Sequence, residues 1–250
     1  MSDLKDAHQK GYISRIPHFN SIFNYLELDE MYGYLKELIT ESAMPLKNIE
    51  INFAVDSSGF ATAQTVRWMH AKYTKPHIID KADWLKCHLM CGVSTNIVTS
   101  VEITERHTGD STQFAPLVEH TAQRFTINHV SADKAYLSAP NLRLVNDKGG
   151  VAFIPFKSNS RLKNNHKEPV WENMFYFFHF NREKFMQYYH RRSNVESTFS
   201  MIKGKFGERL RSKTQTAQIN EILCKVLCHN ICCIIQSMYE LGIEPNFLSD

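Results

Sequence analysis

Tyr189–Lys203, YHRRSNVESTFSMIK, decides how the rest of this chain is read. It sets Tyr189, Arg192, Glu196 and Lys203 at successive offsets of three, four and seven. A helix turns by about 100° per residue, so a residue four before Glu196 lies about 40° from it and one seven away about 20°. Tyr189, Arg192 and Lys203 are therefore expected on the face that carries Glu196. One carboxylate, two cations and a phenol make a poor core stripe. Arg192 and Glu196 alone would be an ordinary intrahelical ion pair, worth a few tenths of a kcal/mol. The full set of four suits a site that handles a metal ion and a phosphate backbone together.

Charge elsewhere points the same way. The net charge of the 250-residue chain is only +3, yet residues 189–213 hold seven Lys/Arg against two Glu. Residues 157–167 add Lys157, Arg161, Lys163 and Lys167 with no acid, which leaves the remainder acidic. Positive charge concentrated in this way is the electrostatic footprint of a phosphate-binding surface. With 43% hydrophobic residues the chain can bury one substantial core or a core with a small appendage. Its six cysteines form no disulfide framework. Cys224, Cys228 and Cys232 sit four apart among Leu and Ile on an expected buried helix, which favours reduced thiols and a cytoplasmic setting. Cys87-His88-x2-Cys91 lacks a second ligand pair at zinc-like spacing. The most apolar segment, 222–243, is interrupted by Lys225, His229 and Asn230, which argues against a membrane span.

Residues 1–47 read as a helical lead. From Ile49 the pattern changes to strand, and Ile49, Ile51, Phe53 and Val55 alternate into Asp56. Asp56 is expected to close that strand, with Ser57-Ser58-Gly59 forming a turn. Further strands are expected at Thr62–Met69, Leu85–Gly92, Ile97–Ile103 and Val151–Phe156. A helix over Asp110–Phe125, capped by Asp110 or Ser111, precedes the short apolar segment Thr126–Asp133. A short helix is expected at Ala139–Val145, a basic loop over 157–170, and helix in one or two pieces over Trp171–Phe206. Phe175–Phe180 reads as aromatic core. A final amphipathic helix covers Thr216–Leu241. Adjacent strands at the start suggest hairpins, and strands alternating with helices suggest parallel neighbours. The expected fold class is α/β, a mixed sheet with helices on both faces.

The set Tyr-x2-Arg-x3-Glu-x6-Lys resembles the motif around the catalytic glutamate of bacterial insertion-sequence transposases of the DDE class. The resemblance extends from about Asn48 to Gly207. Asp56 resembles the first acid of that family, Asp133 with Ala135 and Tyr136 the second, and Glu196 the third. It implies a ribonuclease-H-like catalytic domain over 48–215, with 216–250 a C-terminal helix packed on it or in a dimer. It also implies that Asp56, Asp133 and Glu196 hold two Mg²⁺ ions, for which Mn²⁺ can substitute, since oxygen-only ligation suits a hard cation. The implied chemistry is cleavage of double-stranded DNA at element ends and joining to target DNA, by a homodimer in the DNA complex.

Tyr189, Arg192 and Lys203 are the expected DNA contacts beside the acids. Lys205, Arg209, Arg211 and Lys213, with Lys157, Arg161 and Lys163, are expected phosphate contacts farther out. Lys86 and His88, two apart on a strand, share one face and reach DNA, the site or solvent. Only about 50 mostly helical residues precede Asp56, where the family usually carries a region that reads DNA sequence. That leaves open a fragment, a truncated element or reliance on another chain. Two rivals stand beside the enzyme: a non-catalytic DNA-binding regulator and a structure-selective nuclease.

Overall fold

The computed structural model describes residues 2–62, 84–162 and 169–245. Three helices lead: α1 (Ser2–Gln9), α2 (Phe19–Leu26) and α3 (Glu30–Ala43). Three strands follow, β1 (Asn52–Ala61), β2 (Trp84–Gly92) and β3 (Val98–Glu105), then α4 (Ser111–Ala122), β4 (His129–Ala132), α5 (Ala139–Asp147) and β5 (Val151–Phe153). The chain ends in α6 (Pro169–Phe180), α7 (Arg182–Tyr189), a 3₁₀ turn (His190–Arg192), α8 (Ser193–Phe206) and α9 (Gln215–Leu241).

The sheet order is β3-β2-β1-β4-β5. β1 pairs antiparallel with β2, and β2 with β3, whereas β4 and β5 run parallel to β1. Hairpins first and parallel neighbours later are what the element order predicts, and the α/β mixed sheet of ribonuclease-H-like type is borne out. Phe53, Ala54 and Val55 are all buried because both faces of β1 are covered. Phe53 and Val55 join Phe114, Leu117 and Val118 of α4 on one face, while Ala54 and Phe60 join Val195, Phe199 and Ile202 of α8 on the other.

Two polar clamps hold the end strands of the hairpin. The buried Glu50 carboxylate accepts from Ser94 N at 3.0 Å, Thr95 N at 2.6 Å and Thr95 Oγ1 at 2.7 Å, pinning the β2–β3 turn. A side chain at Gly92 would collide with that carboxylate. At the β3 edge, the Asn230 side chain accepts from Val98 N at 2.9 Å and donates to Val98 O at 2.8 Å and Ile39 O at 3.1 Å. Helix α9 thereby covers an edge that would otherwise offer unpaired backbone groups. By length and composition α9 is the one helix among the described residues able to cross a membrane, and half of its most apolar window is buried. Lys225 and His229 are likewise spent on backbone carbonyls, at Gly207 and Asn96. Such internal bonding is the pattern of a core helix.

Several local expectations fail. β1 does not end at Asp56: it continues through Ser57-Ser58-Gly59 to Ala61, paired with β2 throughout. Thr62 lies outside any strand, and the rest of the expected strand to Met69 falls outside the described residues. β5 stops at Phe153, three residues short. Asp110 stands at the N-cap of α4 but makes no cap bond. The 171–206 region breaks into three pieces rather than two. Phe180 is 78% exposed, so the 175–180 run is only partly core, and of the three spaced cysteines on α9 Cys228 is exposed. β2 alternation sends Cys87 and Cys91 into one core and His88 to the opposite face.

Candidate active site

β1 and β4 place the two aspartates. Val55 lies opposite Ala132 in the parallel pair, so Asp56 and Asp133 are the next residues on neighbouring strands. Asp133 leaves β4 in extended backbone (φ −66°, ψ 158°) and opens a 3₁₀ turn, with Tyr136 N donating to its carbonyl at 2.9 Å. Glu196 sits in the first turn of α8, which packs on β1. The extension of β1 past Asp56 serves as the rail for that helix. Ala61 bridges to Arg209 beyond its end, and Leu210 N donates to Ala61 O at 2.8 Å.

Arg192 ties two of the acids together. Its Nη1 donates to Asp56 Oδ2 at 2.5 Å, and its Nη2 donates to Glu196 Oε1. The other oxygen of Asp56 accepts from Ser57 N at 2.9 Å. Burial raises the pKa of Asp56, and the negative charges of Asp133 and Glu196 raise it further against the opposing pull of Ser57 N and Arg192. The three carboxylates therefore share one electrostatic neighbourhood. Among the described residues no group of three His, Cys, Asp or Glu side chains is drawn close enough to hold a metal ion, and Arg192 lies between Asp56 and Glu196.

Tyr189 and Arg192 do not share one regular helix with Glu196. Tyr189 ends α7, and Arg192 belongs to the 3₁₀ turn before α8. The backbone stays right-handed through both, so Arg192 still reaches Glu196. Tyr189 is half-buried, stacked on Phe185 at 6.4 Å, with the Arg192 guanidinium 6.0 Å from its ring centroid. It supports Arg192 from behind. Lys203 lies farther along the same rail, its Nζ 3.0 Å from Glu208 Oε1 and 5.4 Å from the Phe60 ring centroid.

The outer basic residues separate. Lys205 is turned toward α9, its Nζ 3.0 Å from Cys232 Sγ. Arg209, Arg211, Lys213, Lys157 and Arg161 are exposed, and Lys163 falls outside the described residues. Lys86 and His88 do share a face, but it is the face opposite Asp56, where both meet Asp110. Asp110 and Ser57 were not singled out by sequence as site residues. Nothing local marks them, because their partners are 24 and 53 residues apart in sequence. A cavity of about 700 Å³ lined by His129, Phe153, Tyr188 and Lys184 opens at the far end of β4 from Asp133.

A search of the curated proteins and a search of the solved structures each return no match. The family model described as the transposase DDE domain matches residues 49–231, a span that runs from just before β1 into α9 and includes all three acids. The chain belongs to the transposase DDE domain family, whose chemistry is the cleavage and transfer of DNA in transposition.

Proposed function

We propose that Asp56, Asp133 and Glu196 carry out metal-dependent cleavage of DNA phosphodiester bonds at element ends and the transfer of those ends into target DNA. The observation that carries this reading is that one guanidinium bridges the strand-borne Asp56 and the helix-borne Glu196, while Asp133 follows β4 directly beside Asp56. Family membership gives the reaction class.

The donor set fits a hard divalent cation. All three side chains offer oxygen alone, and Asp56 already bears the repulsion of two neighbouring carboxylates, offset by Ser57 N and Arg192. Asp56, Asp133 and Glu196 would hold the ions. When bound, a pair of Mg²⁺ ions supplies activation of the attacking water or 3′-hydroxyl and neutralisation of the departing oxygen. Ser57 N orients Asp56, so that one oxygen is fixed and the other faces Arg192. Arg192 can give up its carboxylate partners for a phosphate, with which a guanidinium pairs in the same forked geometry. Lys203, seven residues from Glu196 on α8, meets the backbone of the same strand. Arg209, Arg211, Lys157 and Arg161 extend that contact over exposed surface. We further infer a homodimer on DNA, acting in the cytoplasm at the nucleoid.

The test is a labelled duplex made from the DNA that flanks the gene, incubated with target plasmid and Mg²⁺ or Mn²⁺. Label joined covalently to plasmid is the expected product. Cleavage without joining would point instead to a plain nuclease, and binding without either would leave a DNA-occupying regulator.

A further inference from the structure

The geometry points to Asp110 as a positioning residue for the first acid: it acts on Asp56 through Ser57, in a bonded chain that crosses the sheet. The inference rests on the reading of Asp56 as a metal-holding acid. Strand pleating puts Asp56 on the α8 face and Ser57 on the α4 face. Ser57 is held from both sides. Its backbone N donates to Asp56 Oδ1 at 2.9 Å, and its Oγ donates to Asp110 Oδ1 at 3.1 Å. Asp110 is fixed in turn by Lys86 Nζ at 2.7 Å, and Lys86 is anchored to Thr108 O at 2.9 Å.

Asp110 stands where a helix cap belongs yet gives α4 no cap bond, so its carboxylate is engaged by Ser57 and Lys86 instead. The Lys86 ammonium matches its charge. Asp110 therefore adds little net charge to the site, and its effect on Asp56 is one of orientation. His88 lies opposite Ser57 on β2, fully buried, with Nε2 bonded to Thr104 Oγ1 at 2.8 Å and Nδ1 3.7 Å from Asp110 Oδ1. That Nδ1 makes no hydrogen bond among the described residues.

The second acid leads to the same place. Tyr136 ends the 3₁₀ turn that Asp133 opens, and it is 1% exposed. Its hydroxyl also makes no hydrogen bond among the described residues. Burial raises the pKa of that phenol, and the charges of Asp110, Asp56 and Asp133 raise it further, while the Ser57 side chain lowers it. Asp110 touches the strand of the first acid through Ser57, and the helix it leads packs on the turn of the second, with the Phe114 and Tyr136 ring centroids 5.9 Å apart. Partners one shell out from a metal ligand typically change metal affinity by about 10- to 100-fold.

The experiment is Mn²⁺ binding followed by electron paramagnetic resonance on the full chain, as a double-mutant cycle. Ser57→Ala removes only the hydroxyl and leaves the backbone bond to Asp56. Asp110→Ala is made together with Lys86→Met so that no ammonium is left buried alone. Each side of the cycle is expected to weaken Mn²⁺ binding about tenfold, and the combination by about the same factor, because both break one chain. In nicking assays the variants should lose kcat with KM for DNA unchanged. Wild-type Mn²⁺ affinity in either variant, or losses that multiply in the combination, overturns the proposal. Asp56→Asn is the separate control. If it binds Mn²⁺ as tightly as wild type does, the metal reading of Asp56 fails independently of Asp110.

Discussion

Replacing Arg192 by alanine removes the guanidinium that bonds both Asp56 and Glu196. The Arg192 and Asp56 side chains are 18% and 21% exposed, between a surface pair worth about 0–1 kcal/mol and a buried pair whose breakage costs about 3–5 kcal/mol. The Asp56 arm is therefore worth about 2 kcal/mol. The Glu196 arm, with that carboxylate 56% exposed, adds no more than about 0.5 kcal/mol. For a chain of this size 2 kcal/mol lowers the melting temperature by about 4–8 °C. Adding Mn²⁺ at millimolar concentration should then raise the melting temperature of Arg192→Ala more than that of wild type, because the wild-type ion competes with Arg192 for the same oxygens. Acidification has a defined sign. The folded-state pKa of Asp56 is raised, so the folded protein takes up a proton more readily than the unfolded chain as pH falls. The deficit of the variant is full above the folded pKa of Asp56 and narrows as pH falls through it. Differential scanning fluorimetry with and without Mn²⁺ checks both trends. An equal Mn²⁺ gain in the two proteins would refute the idea that Arg192 occupies the place of the cation.

Gly92→Ala drives a methyl into the buried Glu50 carboxylate and should cost about 2–4 kcal/mol, seen as a lower urea midpoint; an unchanged midpoint contradicts the clamp. Burial, opposed by Asp110, lowers the pKa of His88 to about 4, so the unfolded chain binds its proton first as pH drops. Stability is therefore expected to fall as pH falls from about 6.5 toward 4, and His88→Gln should flatten part of that slope in urea titrations. Lys203→Ala should reduce the slope of log affinity for duplex DNA against log salt by about 0.9, measured by fluorescence anisotropy. Lys205→Ala, with its ammonium turned to Cys232, should change that slope less.

The three proposed acids were singled out because each stands beside a strong local signal. An apolar run leads into Asp56, another into Asp133, and the spaced set Tyr189–Lys203 surrounds Glu196. The turn assigned to Ser57-Ser58-Gly59 failed because turn propensity is local while strand pairing is not. β2 pairs with every residue from Phe53 to Ala61, and a Cβ at Gly59 would sit 3.0 Å from the Trp84 ring, so this glycine makes room for a cross-strand neighbour. Likewise Asp110 looks like a helix cap until Lys86 and Ser57 are brought to it by the sheet. The shared helical face survived in effect but not in form. A 3₁₀ turn intervenes, and Arg192 points toward Asp56 as well as Glu196, a contact across 136 residues that no helical periodicity can show.

The most direct measurement is the rate of Mg²⁺- or Mn²⁺-dependent nicking of duplex DNA by wild type and by Asp56→Asn, Asp133→Asn and Glu196→Gln, with DNA affinity determined on the same samples. The account predicts that each substitution abolishes nicking while binding stays within a few-fold of wild type. Nicking that persists at the wild-type rate in any one of the three would contradict the claim that these carboxylates carry the chemistry.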